Sequence, residues 1–239
     1  MSEQIQQIIR FKSVLHLSHA IAPTIPQWQG DPPVEFETVA QRESDGYYLR
    51  RFCLGEHSAT HMNAPISFYP GGIGIDSYAA ESLVVPAVVI DICKQAATNS
   101  DYAIALSDIL NWEQQHGQIP PGSVVLLFTG WQYKWSDTNA FLNLDPDGLP
   151  HFPGFGLEAT QFLLSQRQIA GVGIDTHGVD PGQDDTFAIN RLVLSQPRIV
   201  LENLTNLDQL PPTGTTLFIG VLRLQSGSGS PVAVMALVS

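Results

Sequence analysis

Gly55-Glu56-His57-Ser58-Ala59-Thr60-His61-Met62-Asn63-Ala64-Pro65-Ile66-Ser67-Phe68 is the stretch from which the rest of the chain is read. It sets two of the seven histidines four residues apart, then a carboxamide two residues on and a hydroxyl four residues after that. Neutral imidazole is the commonest protein ligand for zinc and its first-row neighbours. Two histidines at this spacing converge on one ion where the backbone makes a helical turn or a tight loop. Gly55 and Pro65 leave little room for a long helix, so a loop or a single turn is expected. Alone, His-x-x-x-His is a weak signal, because such pairs are more often structural or solvent-facing than ligating.

Composition narrows the classes. The chain has 239 residues, of which 44% are hydrophobic and 14% charged, with a net charge of −12. That length suits one large domain, residues 1–239, with a sizeable core. The acidity, with no Lys/Arg cluster, excludes a phosphate-backbone partner and so nucleic acid. No apolar run approaches the roughly 20 residues that span a bilayer. Met1 to Lys12 mixes Glu3, Arg10 and several glutamines with isolated isoleucines, and lacks the apolar stretch of a signal peptide. Cys53 and Cys93 are too few for a disulfide framework. Read as two buried free thiols, they suit a reducing cytoplasm.

On either side of the histidines the pattern is rich in strands. Ser13 to Ser18, Val34 to Gln41 and Tyr47 to Leu54 read as strands, with Arg42 to Gly46 as a polar turn. Val84 to Ile92 and Ser123 to Thr129 are continuous apolar runs suited to strands buried on both faces. Ser107 is placed as the cap of a helix ending near His116, with Gly117 as its stop. Leu157 to Gln168 and Phe187 to Leu194 read as helices. Gly171 to Thr176, Arg198 to Glu202, Thr215 to Leu224 and Val232 to Val238 read as strands, with Gln225 to Pro231 as a hairpin loop. Strands first, then strands alternating with helices, then strands again predict an α/β fold around a mixed sheet.

The histidine stretch resembles the metal-binding signature of the cyclase superfamily, which includes bacterial kynurenine formamidases and isatin hydrolases: His-x-Gly-Thr-His-x-Asp-Ala-Pro-x-His-Phe. His57, Thr60, His61, Ala64, Pro65 and Phe68 match, whereas Ala59, Asn63 and Ser67 replace the glycine, the aspartate and the last histidine. Asn190 to Glu202 resembles the second signature, a histidine followed twelve residues later by Glu-Asn-Leu, with Asn190 at the histidine position. Trp28, in Gln27-Trp28-Gln29-Gly30-Asp31, resembles the family's Trp-Pro-Gly-Asp loop. Thr129-Gly130-Trp131 and Phe152-Pro153-Gly154 also follow family patterns and are read as scaffold. The resemblance runs from about Ser13 to the C-terminus and implies the swivelling β/β/α cyclase fold.

Carried over residue by residue, the resemblance implies metal ligands at His57, His61, Asn63 and Glu202, the acid/base position at Ser67, and substrate contact at Trp28. A carboxamide is a poorer ligand than a carboxylate for a divalent transition metal. At most one ion is therefore expected, zinc ahead of manganese, with a vestigial metal-free site as the other reading. The Ser67 hydroxyl is not ionised near neutral pH and cannot act as a general base, though it can hydrogen-bond a substrate oxygen. Glu56 and His177 are the other proton-transfer candidates, His177 being read first as a loop residue. Asp175 and Asp180 are expected to organise turns. The implied activity is hydrolysis of a small, carboxyl-bearing amide, formamide, lactam or lactone, an aromatic one in the formamidase pattern of tryptophan catabolism. The contrasting reading is a non-catalytic small-molecule binder on the same scaffold. A homodimer is expected, through the Trp28 loop and the tail after Leu224.

Overall fold

The fold follows from which apolar runs find partners. The computed structural model describes residues 8–239, so the reading of Met1 to Gln7 lies outside the described residues. In chain order the strands are β1 (Ser13–His16), β2 (Glu35–Ala40), β3 (Leu49–Cys53), β4 (His61–Asn63), β5 (Val84–Asp91), β6 (Ala103–Ile104), β7 (Val124–Phe128), β8 (Gly154–Phe155), β9 (Gly171–Ile174), β10 (Ile199–Glu202), β11 (Thr215–Val221) and β12 (Gly229–Val238). The helices are α1 (Arg42–Asp45), α2 (Cys93–Thr98), α3 (Leu106–His116), α4 (Thr138–Leu142), α5 (Leu157–Gln166) and α6 (Ala188–Leu194).

Seven strands close a mixed barrel in the order β12-β11-β5-β7-β9-β10-β4, with β4 returning to β12. β5, β7, β9 and β10 run parallel, and the remaining pairings are antiparallel. The ten residues of β12 serve three neighbours: Val232 to Val238 pair with β11, Gly229 to Pro231 with β4, and Met235 to Val238 with β1. The parallel strands carry apolar side chains on both faces, as a sheet covered on both sides requires. Val85, Ala87, Val89, Leu126 and Leu201 fill the barrel, while Val88, Ile90, Val125, Leu127, Val172 and Val200 meet α3, α5 and α6 outside it. Gly173 faces inward, where a Cβ would lie 2.7 Å from Leu126 and 2.9 Å from Leu204, so the barrel has no room for a side chain there. β2 and β3 form a separate hairpin whose Val39, Leu49 and Phe52 are exposed. No helix among the described residues is long and apolar enough to cross a membrane.

Several expectations need correction. His61 to Asn63 form a strand rather than a loop or turn, because both edges are bonded, to β10 and to β12. The single turn that was expected comes next, as a 3₁₀ turn at Pro65–Ser67. The cap of α3 is not Ser107, which lies inside the helix; the Asp108 carboxylate reaches back to the Ala105 N–H at 2.8 Å. The thiols are not both buried: Cys53 is exposed on the hairpin and Cys93 is half-buried. The tail after Leu224 is not a free surface, since most of it is β12, between β1, β11 and β4.

Candidate active site

One end of the barrel gathers the chemistry. The loop after β3 delivers His57, and β4 delivers His61 and Asn63 two residues apart, on one face of the strand. β10 ends in Glu202, the loop after β9 carries His177 and Asp180, and the first turn of α6 carries Asn190. Parallel strands commonly open into sites at their C-terminal ends. Ala59 holds the left-handed backbone (φ 55°) that the signature's glycine would favour, and its carbonyl accepts hydrogen bonds from His61 Nδ1 and Asn203 Nδ2, both at 2.9 Å.

The polar side chains form one buried network. Because His61 Nδ1 must donate to the Ala59 carbonyl, a neutral His61 has a bare Nε2, and that atom stands 3.0 Å from Glu202 Oε2. Asn63 Nδ2 donates to Asn190 Oδ1 (2.9 Å) and Glu202 Oε2 (3.1 Å), which leaves Asn63 Oδ1 facing His57 Nδ1 at 2.8 Å. Glu202 Oε1 accepts from the Val179 N–H and from Asn190 Nδ2, each at 3.0 Å. Asp180 receives Asn190 Nδ2 at 2.9 Å and the Ile189 N–H at 2.5 Å. Asp180 thus ties the start of α6 to the site, and Asp175 ties the segment Thr129 to Gln132, through bonds from Thr129 and Gln132; neither acts only within its own turn.

Burial and bonding set the charges. Burial pushes the Glu202 carboxyl up, but a hydrogen on His61 Nε2 when that ring is protonated, with the bonds from Asn190 and the Val179 N–H, outweighs it and holds the group down at about 2. Burial lowers His57 below the ordinary imidazole range, helped by neighbouring His61. Burial drives His177 down to about 3 and keeps it neutral. Burial also raises Asp180 to about 6, against its bonds from Asn190 and the Ile189 N–H.

These groups fit a cation. With His61 neutral, its bare Nε2 opposes a carboxylate oxygen, and Asn63 Oδ1, a pure acceptor, stands against His57 Nδ1, so these atoms can turn lone pairs on a cation. Turning the Asn63 amide over would set its oxygen against Asn190 Oδ1 and Glu202 Oε2, so the network fixes its orientation. Lone-pair atoms held about 3 Å apart are the edges of a coordination shell with bonds of about 2.0–2.2 Å. Among the described residues no three His, Cys, Asp or Glu side chains close on an ion by themselves. Asn63 bridges two such side chains, its Oδ1 against His57 Nδ1 and its Nδ2 donating to Glu202 Oε2, so its carboxamide oxygen can serve as a further donor to a cation.

A pocket of about 320 Å³ opens over this network. Trp28, Phe68, Phe152 and Phe187 make its apolar walls, and His57, His61, Asn63, Asn190 and Glu202 its polar end. Trp28 lies edge-on to His177 at 5.8 Å and to Phe152 at 6.2 Å, so it faces the pocket. Ser67 lines the pocket too, but its hydroxyl donates to the Ser228 carbonyl at 2.6 Å. Glu56 stands outside the lining and bonds Ser228. His177 is buried in the lining with no partner for Nε2 among the described residues, so it is a pocket residue rather than a loop residue satisfied by its neighbours. Phe152, read from sequence as scaffold, is a wall. Phe187 and Ser228 carried no sequence signal, for one opens a helix and the other sits in a Gly-Ser run read as a loop.

A model of the Cyclase family matches residues 15–181. Isatin hydrolase of Roseibium aggregatum is 35% identical over 217 residues, covering 87% of this chain and 82% of that protein. Kynurenine formamidase of Bacillus cereus is 26% identical over 219 residues, covering 91% and 94%. Isatin hydrolase A from Ralstonia solanacearum superposes with a TM-score of 0.90 at 35% identity, covering 95% of this chain and 92% of that one. An isatin hydrolase bound to the product analogue thioisatinate superposes at 0.88 with 33% identity, covering 94% and 92%.

Proposed function

The chain belongs to the cyclase family, and from that premise we propose that it is a metal-dependent hydrolase that opens the C–N bond of a small aromatic cyclic amide. The observation that carries this reading is the convergence of His57, Asn63, Glu202 and His61, successive pairs standing 2.8, 3.1 and 3.0 Å apart, at the polar end of an aromatic-walled pocket. Those four residues would hold a single divalent transition metal. Such an ion, when bound, supplies Lewis acidity and lowers the pKa of water. A second ion is not expected, because the Val179 N–H and Asn190 Nδ2 both donate to Glu202 Oε1, which leaves only Oε2 for an ion.

The protein's own groups do the rest. Trp28, Phe152 and Phe187 form a slot for a flat ring and exclude water around it. Water adds to the amide carbonyl carbon, the C–N bond breaks, one of the water's hydrogens leaves with the nitrogen as an amine, and the other is released to solvent as the carbon becomes a carboxylate. His177, neutral and with a free Nε2, is placed to hydrogen-bond a substrate oxygen or nitrogen. Ser67 positions the Ser228 backbone and is not the proton carrier. No Lys or Arg lines the pocket among the described residues, which favours an uncharged ring over a carboxyl-bearing substrate. Isatin, an uncharged aromatic lactam, suits this slot better than N-formylkynurenine. Parallel assays of the two with added zinc or manganese test the assignment, and a preference of tenfold or more for N-formylkynurenine overturns it. The same family reading extends to a homodimer. It is supported by the exposed Val39, Tyr47, Tyr48, Leu49 and Phe52 around the β2–β3 hairpin, and sedimentation at micromolar concentration tests it.

A further inference from the structure

The segment Gly227-Ser228-Gly229 closes one side of the pocket, and its contacts converge on a single imidazole. Ser228 Oγ donates to Glu56 Oε2 at 2.6 Å, and the Ser228 N–H donates to the same oxygen at 2.7 Å. Ser67 Oγ anchors the Ser228 carbonyl at 2.6 Å. His57 Nε2 stands 2.9 Å from Ser228 Oγ. On either side, a Cβ on Gly227 would lie 3.1 Å from Glu56 Oε1, and one on Gly229 would lie 2.7 Å from His57 Cε1. Both glycines therefore allow the segment to press against the carboxylate and the ring.

A hydroxyl has one hydrogen to give. With that hydrogen on Glu56, Ser228 Oγ offers His57 only a lone pair, so a bond between them needs the hydrogen on His57 Nε2. Asn63, whose amide hydrogens are committed to Asn190 and Glu202, competes through Oδ1 for the same single hydrogen of the neutral ring at Nδ1. It is a neutral acceptor, whereas Ser228 Oγ is polarised by the Glu56 carboxylate and is the stronger one, which leaves Nδ1 bare. The geometry points to Glu56 and Ser228 as positioning residues that hold His57 in the Nε2–H tautomer and present Nδ1 as its ligating atom. This role rests on the metal-binding reading of the pocket. Carboxylate-backed partners of ligating histidines fix tautomer and ring orientation, and losing one costs about 10- to 100-fold in metal affinity.

Two measurements test it. The first is the ¹⁵N spectrum of the His57 ring in the metal-free protein. Pyrrole-type nitrogen at Nε2 and pyridine-type nitrogen at Nδ1 are expected; pyrrole-type nitrogen at Nδ1, or at both positions, overturns the assignment. The second is zinc titration against a chromophoric chelator. Ser228→Ala is expected to bind zinc about 10- to 100-fold more weakly than wild type, and Ser228→Thr, which keeps the hydroxyl, to stay within threefold. Equal affinity in the alanine variant and wild type refutes the positioning role. If Ser228→Ala does not fold, the wild-type spectrum and the threonine variant still decide. A wild-type protein that binds no zinc defeats the metal reading separately, while the tautomer remains readable.

Discussion

Gly229→Ala tests whether His57 sits at the reacting centre. The added Cβ would lie 2.7 Å from His57 Cε1, 3.0 Å from His57 Nδ1 and 2.9 Å from the Met62 carbonyl oxygen. Carbon atoms rest at about 3.5 Å or more, so the ring must retreat by roughly 0.7–0.8 Å. It cannot do so without stretching its 2.8 Å contact to Asn63 or its 2.9 Å contact to Ser228. A misplacement of about 1 Å in a catalytic constellation costs about 10²-fold in rate, so a drop of roughly 10- to 100-fold in kcat/KM is expected. Overpacking costs about 1–3 kcal/mol, or a fall in Tm of about 2–10 °C for a chain of this size. Steady-state isatin hydrolysis and thermal melting read the two effects. Gly220→Ala is the control, since its Cβ would meet only Ala233, with the carbonyl at 3.3 Å, in the same barrel; it should cost some stability and leave kcat/KM unchanged. A folded Gly229→Ala variant with kcat/KM within threefold of wild type would show that His57 is remote from the chemistry.

Glu202→Gln keeps the side-chain shape but removes the carboxylate opposite His61. Breaking a buried charge pair costs about 3–5 kcal/mol, so calorimetry should find zinc affinity reduced roughly 10²- to 10⁴-fold, and undiminished affinity would remove Glu202 from the ligand set. Asn63→Asp places a second carboxylate where the amide now donates to Glu202 at 3.1 Å. The metal-free variant should lose about 1–3 kcal/mol, and saturating zinc should raise its Tm more than that of wild type; equal shifts would contradict the placement of Asn63. Asp175 supplies the pH dependence. Burial raises it to about 6 against bonds from Thr129 and Gln132. A folded pKa above the unfolded value means that its contribution is fully present below about pH 4 and lost as pH rises through about 6, a change of roughly 3 kcal/mol. The stability of wild type relative to Asp175→Asn should therefore fall from pH 4 to pH 6 in urea titrations; a rise would reverse the sign.

The buried parallel strands were legible because both of their faces are covered, which turns alternation into unbroken apolar runs such as Val124 to Phe128. Closure of the barrel was not, since it depends on the Gly229 to Pro231 pairing with β4, and a Gly-Ser-rich run reads locally as a loop. His57, His61 and Glu202 stood out by spacing and resemblance, and the fold brings all three to the polar end of one pocket. Phe152, Phe187 and Ser228 did not stand out, because a pocket wall asks only for bulk at a place and a positioning hydroxyl only for a hydrogen bond across the fold. His177 lay between the two cases: its residue type suggested chemistry, but only its burial against Trp28, Phe141 and Phe152 brings it into the site.

Metal content and turnover measured on one preparation test the central claim most directly. Elemental analysis of the purified protein, followed by isatin hydrolysis before chelation, after chelation and after readdition of zinc or manganese, is expected to show close to one divalent transition ion per chain, loss of at least 10²-fold in rate on its removal, and recovery when the ion is restored. Two tightly held ions per chain would contradict the single site built on His57, His61, Asn63 and Glu202. Full hydrolytic activity in protein stripped of metal would contradict the metal-dependent reading itself.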